Sequence, residues 1–191
     1  MKEKEKQLVL KAQQGNNRAF GKLIKKYQNK VLYLAFDIIG NYDDAQDIAQ
    51  SAFLRAFKNI RNFKMQATFS TWLYRIVVNL SIDFNRARSR RRQISIEKPL
   101  DDSEQSLKNI LKDKHKQPDQ LLVLKDFNKQ LEKAVNKLPH NQRIAFVLRN
   151  YHDMSMNNIA EILECKTGTV RSHLFRAINK LREQLKEFET L

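Results

Sequence analysis

The sequence predicts an all-α protein of two small helical domains joined by a flexible linker, and three observations carry that expectation. Punctuation is sparse, with four glycines and three prolines in 191 residues, which leaves few of the turns that successive strands require. Apolar residues recur at spacings of three and four, the period of helices with one buried face. Charge falls in blocks: residues 1–92 carry 19 cationic and 7 anionic side chains, residues 93–120 carry 5 and 6, and residues 121–191 carry 12 and 8. Two basic blocks therefore flank a neutral spacer. The spacer holds Pro99, Pro118, Asp101, Asp102 and Glu104 with few large apolar residues, the composition of a linker. The expected division is a domain over 1–92, a linker over 93–120 and a domain over 121–191.

The net charge of +15 points to a polyanionic partner, since each phosphate neutralised by Lys or Arg releases condensed counterions. No segment approaches the ~18 uninterrupted apolar residues of a membrane span. The start, MKEKEKQLVL, lacks the apolar core of a secretory signal. A lone cysteine, Cys165, excludes an intramolecular disulfide framework and a multi-cysteine metal cluster. These features predict a cytoplasmic protein. His115, His140, His152 and His173 are scattered, so neither a metal nor another cofactor is expected. Outside the spacer, Asp43, Asp44 and Asp47 are the only dense carboxylates, and helix capping with partner docking accounts for them, so no enzyme is expected.

In the first domain, apolar stripes place one helix over about Glu5 to Gln14 and a second, capped by Asn17, through Phe20, Leu23, Tyr27, Val31, Leu34 and Ile38. Gly40 ends it. Asn41 caps a third helix, with Asp43 and Asp44 suited to the positive end of its dipole, running to about Ile60. Its buried face is predicted as Ala45, Ile48, Ala49, Ala52, Phe53, Ala56 and Phe57. Asp47, Gln50, Ser51 and Leu54 are left on another side, which periodicity alone reads as solvated surface. After a loop through Phe63 and Lys64 to Phe69, a fourth helix capped by Ser70 or Thr71 runs to about Arg92. Leu73, Val77, Leu80 and Phe84 should pack inward, with Trp72 mainly a core anchor. Arg75, Asn79, Arg86 and Arg90 lie on a different stripe. Five arginines between residues 86 and 92 exceed what a helix dipole needs and point to phosphate contact.

In the second domain, a helix through Leu124, Phe127, Leu131, Val135 and Leu138 is stopped by Pro139, and another carries Arg143 to about Tyr151. Ser155 caps a third, Met156 to Leu163; a turn follows, and Thr167 caps a long last helix. A short helix, a tight turn and a second helix, with small Ala160 near the crossing, form a helix-turn-helix pattern. On the last helix Val170, Leu174, Ile178, Leu181 and Leu185 make the inward stripe. Ser172, Phe175, Arg176 and Asn179 face outward, with Arg171 beside them. Phe175 is open to two readings: burial against another element, or contact with thymine methyls in a major groove where arginines read guanine.

Two blocks of sequence add a resemblance. Asp43-Asp44-Ala45-Gln46-Asp47-Ile48-Ala49-Gln50-Ser51-Ala52-Phe53-Leu54-Arg55-Ala56-Phe57, followed by Phe69-Ser70-Thr71-Trp72-Leu73-Tyr74-Arg75-Ile76-Val77-Val78-Asn79, resembles region two of extracytoplasmic-function sigma factors. The run from Asn158 to Ala177 resembles their region four, most closely that of the sigma-E subgroup. With both blocks in order, the resemblance covers nearly the whole chain. It implies a subunit that binds core RNA polymerase and directs promoter-specific transcription initiation, in a stress or envelope-response regulon.

By the resemblance, Asp47, Gln50, Ser51 and Leu54 dock on the clamp helices of the largest polymerase subunit, and the polymerase flap is a further contact of the chain. Many relatives carry Glu where this chain has Ser51, so one charged contact is either missing or replaced there. Phe63, Lys64, Phe69, Arg75, Asn79, Arg86 and Arg90 would serve the −10 element, the loop and Asn79 holding a base flipped from the stack. Arg149, Thr169, Arg171, Ser172, Phe175 and Arg176 would serve the −35 element, and His173 departs from the Arg or Lys often found there. The resemblance also implies regulation by an anti-sigma factor, commonly anchored in the inner membrane, acting on a protein that is monomeric when free. A conventional helix-turn-helix regulator is the rival reading, but it has no need of a docking stripe or a base-capture loop.

Overall fold

The computed structural model describes residues 3–94 and 118–186, so most of the expected linker lies outside them. Eight α-helices occur among these residues, and no strand: α1 (Glu3–Gln13), α2 (Asn17–Ile39), α3 (Tyr42–Asn59), α4 (Phe69–Ile94), α5 (Pro118–Asn136), α6 (His140–Asn150), α7 (Met156–Ile162) and α8 (Thr167–Leu185), with a 3-10 turn at Ile60–Asn62 after α3. In the first unit α2 is the central helix, packed against α1, α3 and α4; in the second, α8 packs against α5, α6 and α7.

Local signals explain most of the boundaries. Asn41 accepts a 3.0 Å bond from the Asp44 amide, and Ser155 accepts one from the Asn158 amide at 3.2 Å, both as expected. Gly40 closes α2 with φ 79°, a left-handed conformation that favours glycine, and donates its N–H to the Phe36 carbonyl at 2.7 Å. Three caps differ from expectation. Asn16, not Asn17, caps α2 through a bond from the Ala19 amide at 3.0 Å. Thr68, not Ser70 or Thr71, starts α4 by accepting from the Thr71 amide at 3.1 Å. Lys166 holds the cap position of α8 without a side-chain bond, so Thr167 is its first helical residue.

The predicted stripes form the cores, with corrections at their edges. Leu23, Val31, Leu34, Ala35 and Ile38 of α2 are fully enclosed, as are Ala45, Ala52 and Ala56 of α3. Phe57 is 47% exposed, and Ile178 of α8 is 39% exposed. In α8, Ala177 takes the inward position beside Val170, Leu174 and Leu181. In α4, Leu73, Val77 and Val78 are buried, while Leu80 and Phe84 are only half-buried. Phe127 of α5 lies at the surface.

One charged group of α1 is buried. Glu5 of α1 pairs with Lys26 and accepts a 2.8 Å bond from the Tyr27 hydroxyl. Burial and the adjacent carboxylate push the Tyr27 pKa upward, which keeps the phenol protonated as the donor. This pair ties α1 to α2.

The two units also touch. α4 packs against α7, and α2 against α6. The Asp37 carboxylate lies 2.9 Å from His152 Nε2, and Arg143 donates to the Asp37 carbonyl at 3.1 Å. Arg143 is 8% exposed. Burial pushes its pKa down to about 10 against the pull of Asp37, and the guanidinium stays charged at neutral pH.

Candidate polymerase and nucleic-acid interfaces

The outer face of α3 is set by what its inner face buries. Because Ala45, Ile48, Ala49, Ala52 and Ala56 turn towards α2 and α4, the intervening Asp47, Gln50, Ser51 and Leu54 are all exposed. The structure brings these four together on one ridge. Leu54 is 56% exposed, an apolar side chain among polar ones. Phe57 continues the apolar part of the ridge, its ring resting on Phe20 at 5.1 Å between centroids.

The loop before α4 is built on an aromatic cluster. Phe63 and Trp72 stack with centroids 4.7 Å apart, and Phe69 contacts Phe63, Trp72 and Tyr27 at 6.2, 5.7 and 5.6 Å. Phe63 and Phe69 are 7% and 1% exposed, so they form the base of the loop while Lys64 stands at its surface. Met65 adopts φ 55° where the loop bends, a conformation uncommon outside glycine. Gln13, which no sequence motif marks, donates from Nε2 to the Ile60 and Phe63 carbonyls at 3.1 and 2.7 Å. Its amide ties α1 to the 3-10 turn and the start of the loop, where the Ile60 carbonyl also accepts from the Phe63 amide at 3.1 Å.

Along α4, Asn79, Arg86 and Arg90 are exposed. Arg75 is half-buried and lies 3.8 Å from Glu164 of the helix-turn-helix turn. In the second unit, the turn between α7 and α8 passes through Glu164 at φ 52°, and the Cys165 amide donates to the Ala160 carbonyl at 3.0 Å. Burial raises the Cys165 pKa, so the thiol stays protonated. On α8, Thr169, Arg171, Ser172, Phe175 and Arg176 share the exposed face, and Phe175 is 67% exposed. Burial of Phe175 against another described element is thereby excluded. Ser172 donates to the Gly168 carbonyl at 3.1 Å, leaving its oxygen able to accept. Arg149 donates to the Met154 carbonyl at 3.0 Å and so also fastens the turn between α6 and α7.

Asn79 and Thr169 line the same small cavity, with Cys165 and His173. The face of α4 expected to meet the −10 element and the start of α8 therefore look at each other across the junction of the two units. No group of three or more His, Cys, Asp or Glu side chains able to hold a metal occurs among the described residues. No described helix is long and apolar enough to cross a membrane.

Residues 23–91 match the family model for Sigma-70 region 2, and residues 128–181 that for Sigma-70, region 4. The chain is 35% identical to the RNA polymerase sigma-H factor of Pseudomonas aeruginosa, over 92% of this chain and 90% of that protein. It is 32% identical to the ECF RNA polymerase sigma factor SigW of Bacillus subtilis, over 95% and 97%. It is 34% identical to the ECF RNA polymerase sigma-E factor of Escherichia coli, over 89% and 88%. Among solved structures, the fold is similar to that of the sigma factor RpoE of Bartonella quintana, in co-crystals with the anti-sigma factor NepR. That likeness has a TM-score of 0.68 and 26% identity and covers 87% of this chain and 96% of that one. A similar fold is seen for CnrH in complex with the cytosolic domain of CnrY, with a TM-score of 0.69 and 22% identity over 97% and 99%.

Proposed function

This chain belongs to the extracytoplasmic-function sigma factors, non-enzymatic subunits that direct promoter-specific transcription initiation by RNA polymerase, and we propose that three of its surfaces divide that work. The α3 ridge of Asp47, Gln50, Ser51 and Leu54 docks on the clamp helices of the largest polymerase subunit. An exposed leucine ringed by hydrogen-bonding side chains suits an interface whose centre becomes dry while its rim stays polar. The second unit meets the flap.

The loop and α4 take the −10 element. Phe63 and Phe69 are enclosed, so their contribution is to hold the loop rigid, and Lys64 with Asn79 faces the nucleic acid. An Asn amide offers both a donor and an acceptor to a flipped base edge, and Arg75, Arg86 and Arg90 serve the flanking phosphates. α8 reads the −35 element in the major groove through Arg171, Ser172, Phe175 and Arg176, with Thr169 at its start and Arg149 near a phosphate. The observation that carries this reading is Phe175. A 67% exposed phenylalanine between cationic side chains has no use in solvent and fits thymine methyls. Since Asn79 and Thr169 line one cavity, promoter engagement requires the two units to part.

Regulation follows the relatives. The Bartonella sigma factor was solved with an anti-sigma factor, and a small protein of that kind is the expected inhibitor here, anchored in the inner membrane and holding an otherwise cytoplasmic monomer. The promoters served belong to a stress or envelope response.

Substitution separates reading from positioning. Arg176→Ala should cost about 1–3 kcal/mol and relax base preference at one −35 position, as expected for a lost bidentate guanine contact. Arg90→Ala should weaken all promoters alike and reduce the salt slope by about one. Polymerase–promoter binding measured across a base-substituted −35 library and a salt series distinguishes them; equal effects of the two changes on base preference would contradict this division.

A further inference from the structure

Helix α1 carries none of the residues assigned above to polymerase or promoter, yet its inner face reaches both ends of the loop before α4. Glu5, Val9, Ala12 and Gln13 fall at i, i+4, i+7 and i+8, on one face of the helix. Val9 and Ala12 are buried and Glu5 is 7% exposed, so apolar packing in the middle of the face is flanked by a polar side chain at either end. Those two polar side chains start about 12 Å apart along the axis.

At its C-terminal end, α1 packs on the 3-10 turn, and Gln13 Nε2 donates to the Ile60 and Phe63 carbonyls at 3.1 and 2.7 Å. Two carbonyl acceptors admit only the N–H2 side of the amide, which fixes its orientation. The loop departs from Phe63, whose ring stacks on Trp72. At the N-terminal end, Glu5 pairs with Lys26 and accepts from the Tyr27 hydroxyl at 2.8 Å. The Tyr27 ring lies against Phe69, the first residue of α4, at 5.6 Å between centroids. The start of the loop is thus held by α1 directly and its end through Tyr27.

A loop of this kind needs such ties. Met65 holds φ 55°, and a non-glycine residue stays in that region only where its surroundings over-determine it. The aromatic cluster beneath the loop supplies packing that is non-directional, whereas hydrogen bonds to particular carbonyls fix where the chain lies. We propose that α1 is a splint for the base-capture loop, with Gln13 and the Glu5–Tyr27 pair as positioning residues that set where Lys64 and the rest of the loop stand relative to Asn79. They act through the loop, not by touching the base. The splint's part in promoter opening rests on the −10 role proposed for the loop above. A pocket for a base edge has to be held to within about 0.5 Å. A loop freed at either end should therefore still bind a single strand through its phosphates while losing its choice of base.

The test uses holoenzyme assembled from core polymerase and the full chain. Its affinity is measured for single-stranded oligonucleotides carrying the −10 element of a promoter it transcribes, and for the same oligonucleotides with each base substituted in turn. The ratio of affinities is the readout, because a chain that is merely less stable lowers every affinity together and leaves the ratio alone. Gln13→Leu keeps the size of the side chain and removes both donated bonds, and Tyr27→Phe keeps the ring and removes the bond to Glu5. Each should reduce the preference for the favoured base by about fivefold or more, with helix content and affinity for core polymerase unchanged. Gln14→Leu makes the same change at an exposed neighbour, and Ile38→Val trims the core near the C-terminal end of α2; both should keep the wild-type ratio. Wild-type holoenzyme without base preference at any position would overturn the base-capture reading and the splint with it. A wild-type preference that Gln13→Leu and Tyr27→Phe both retain would overturn the splint alone, as would an equal loss in Ile38→Val. Loss in only one of the two variants would overturn the two-ended tie.

Discussion

Replacing Asp47, Gln50 and Leu54 together by alanine is expected to lower affinity for core polymerase by about a hundredfold or more, with helix content and thermal midpoint close to wild type. Burying an exposed leucine contributes about 1.5–3 kcal/mol, and an interface hydrogen bond adds about 0.5–1.5 kcal/mol, more where Asp47 meets a cation. Those contributions reach the 2.7 kcal/mol or so that a factor of a hundred represents. The fold should tolerate the change because all three side chains point outward from α3 while the alanine face beneath them is untouched, and alanine favours the helix. Competition with a labelled wild-type chain for core polymerase measures it. A triple variant that competes as well as wild type would mean that polymerase docks elsewhere.

The second large effect is on stability. Phe69→Ala removes a ring that is 1% exposed and touches Tyr27, Phe63 and Trp72, and should cost about 3–5 kcal/mol. Phe57→Ala removes a ring of the same size that is 47% exposed and packs on Phe20 alone among the aromatic rings described, so its cost should stay below about 1.5 kcal/mol. Because Phe69 underlies the loop that carries Lys64, the first variant should also slow promoter opening at temperatures where it remains folded. Denaturant unfolding of both variants, followed by open-complex formation, separates the two roles. Equal destabilisation by the two changes would show that the aromatic cluster is not what holds the loop.

Much of this arrangement was legible in the residues. The helix order and the alanine-rich inner face of α3 follow from spacing alone, as does the outward position of Asp47, Gln50, Ser51 and Leu54. Errors gathered where a periodic pattern has little resolving power. Asn16 and Asn17 are equally good caps by type, and only backbone geometry decides between them. Phe57 and Ile178 sit at the edges of their stripes, where burial depends on whether a neighbouring helix reaches that far. Glu5 was unreadable for a different reason: its partners Lys26 and Tyr27 lie on another helix, and a carboxylate without them would be exposed. The contact of Asp37 with His152 and Arg143 spans more than a hundred residues of chain, and no local pattern announces it.

The central claim is that this chain gives core polymerase its promoter specificity, and the most direct measurement is transcription from a linear template library with purified core enzyme, with and without the chain. The expected result is run-off product only when the chain is present, from templates that share two short elements at a fixed spacing, with Arg176→Ala altering the upstream element alone. Transcription unchanged by the chain, together with tight binding of the free protein to duplex DNA as a dimer, would contradict the account and favour a conventional helix-turn-helix regulator.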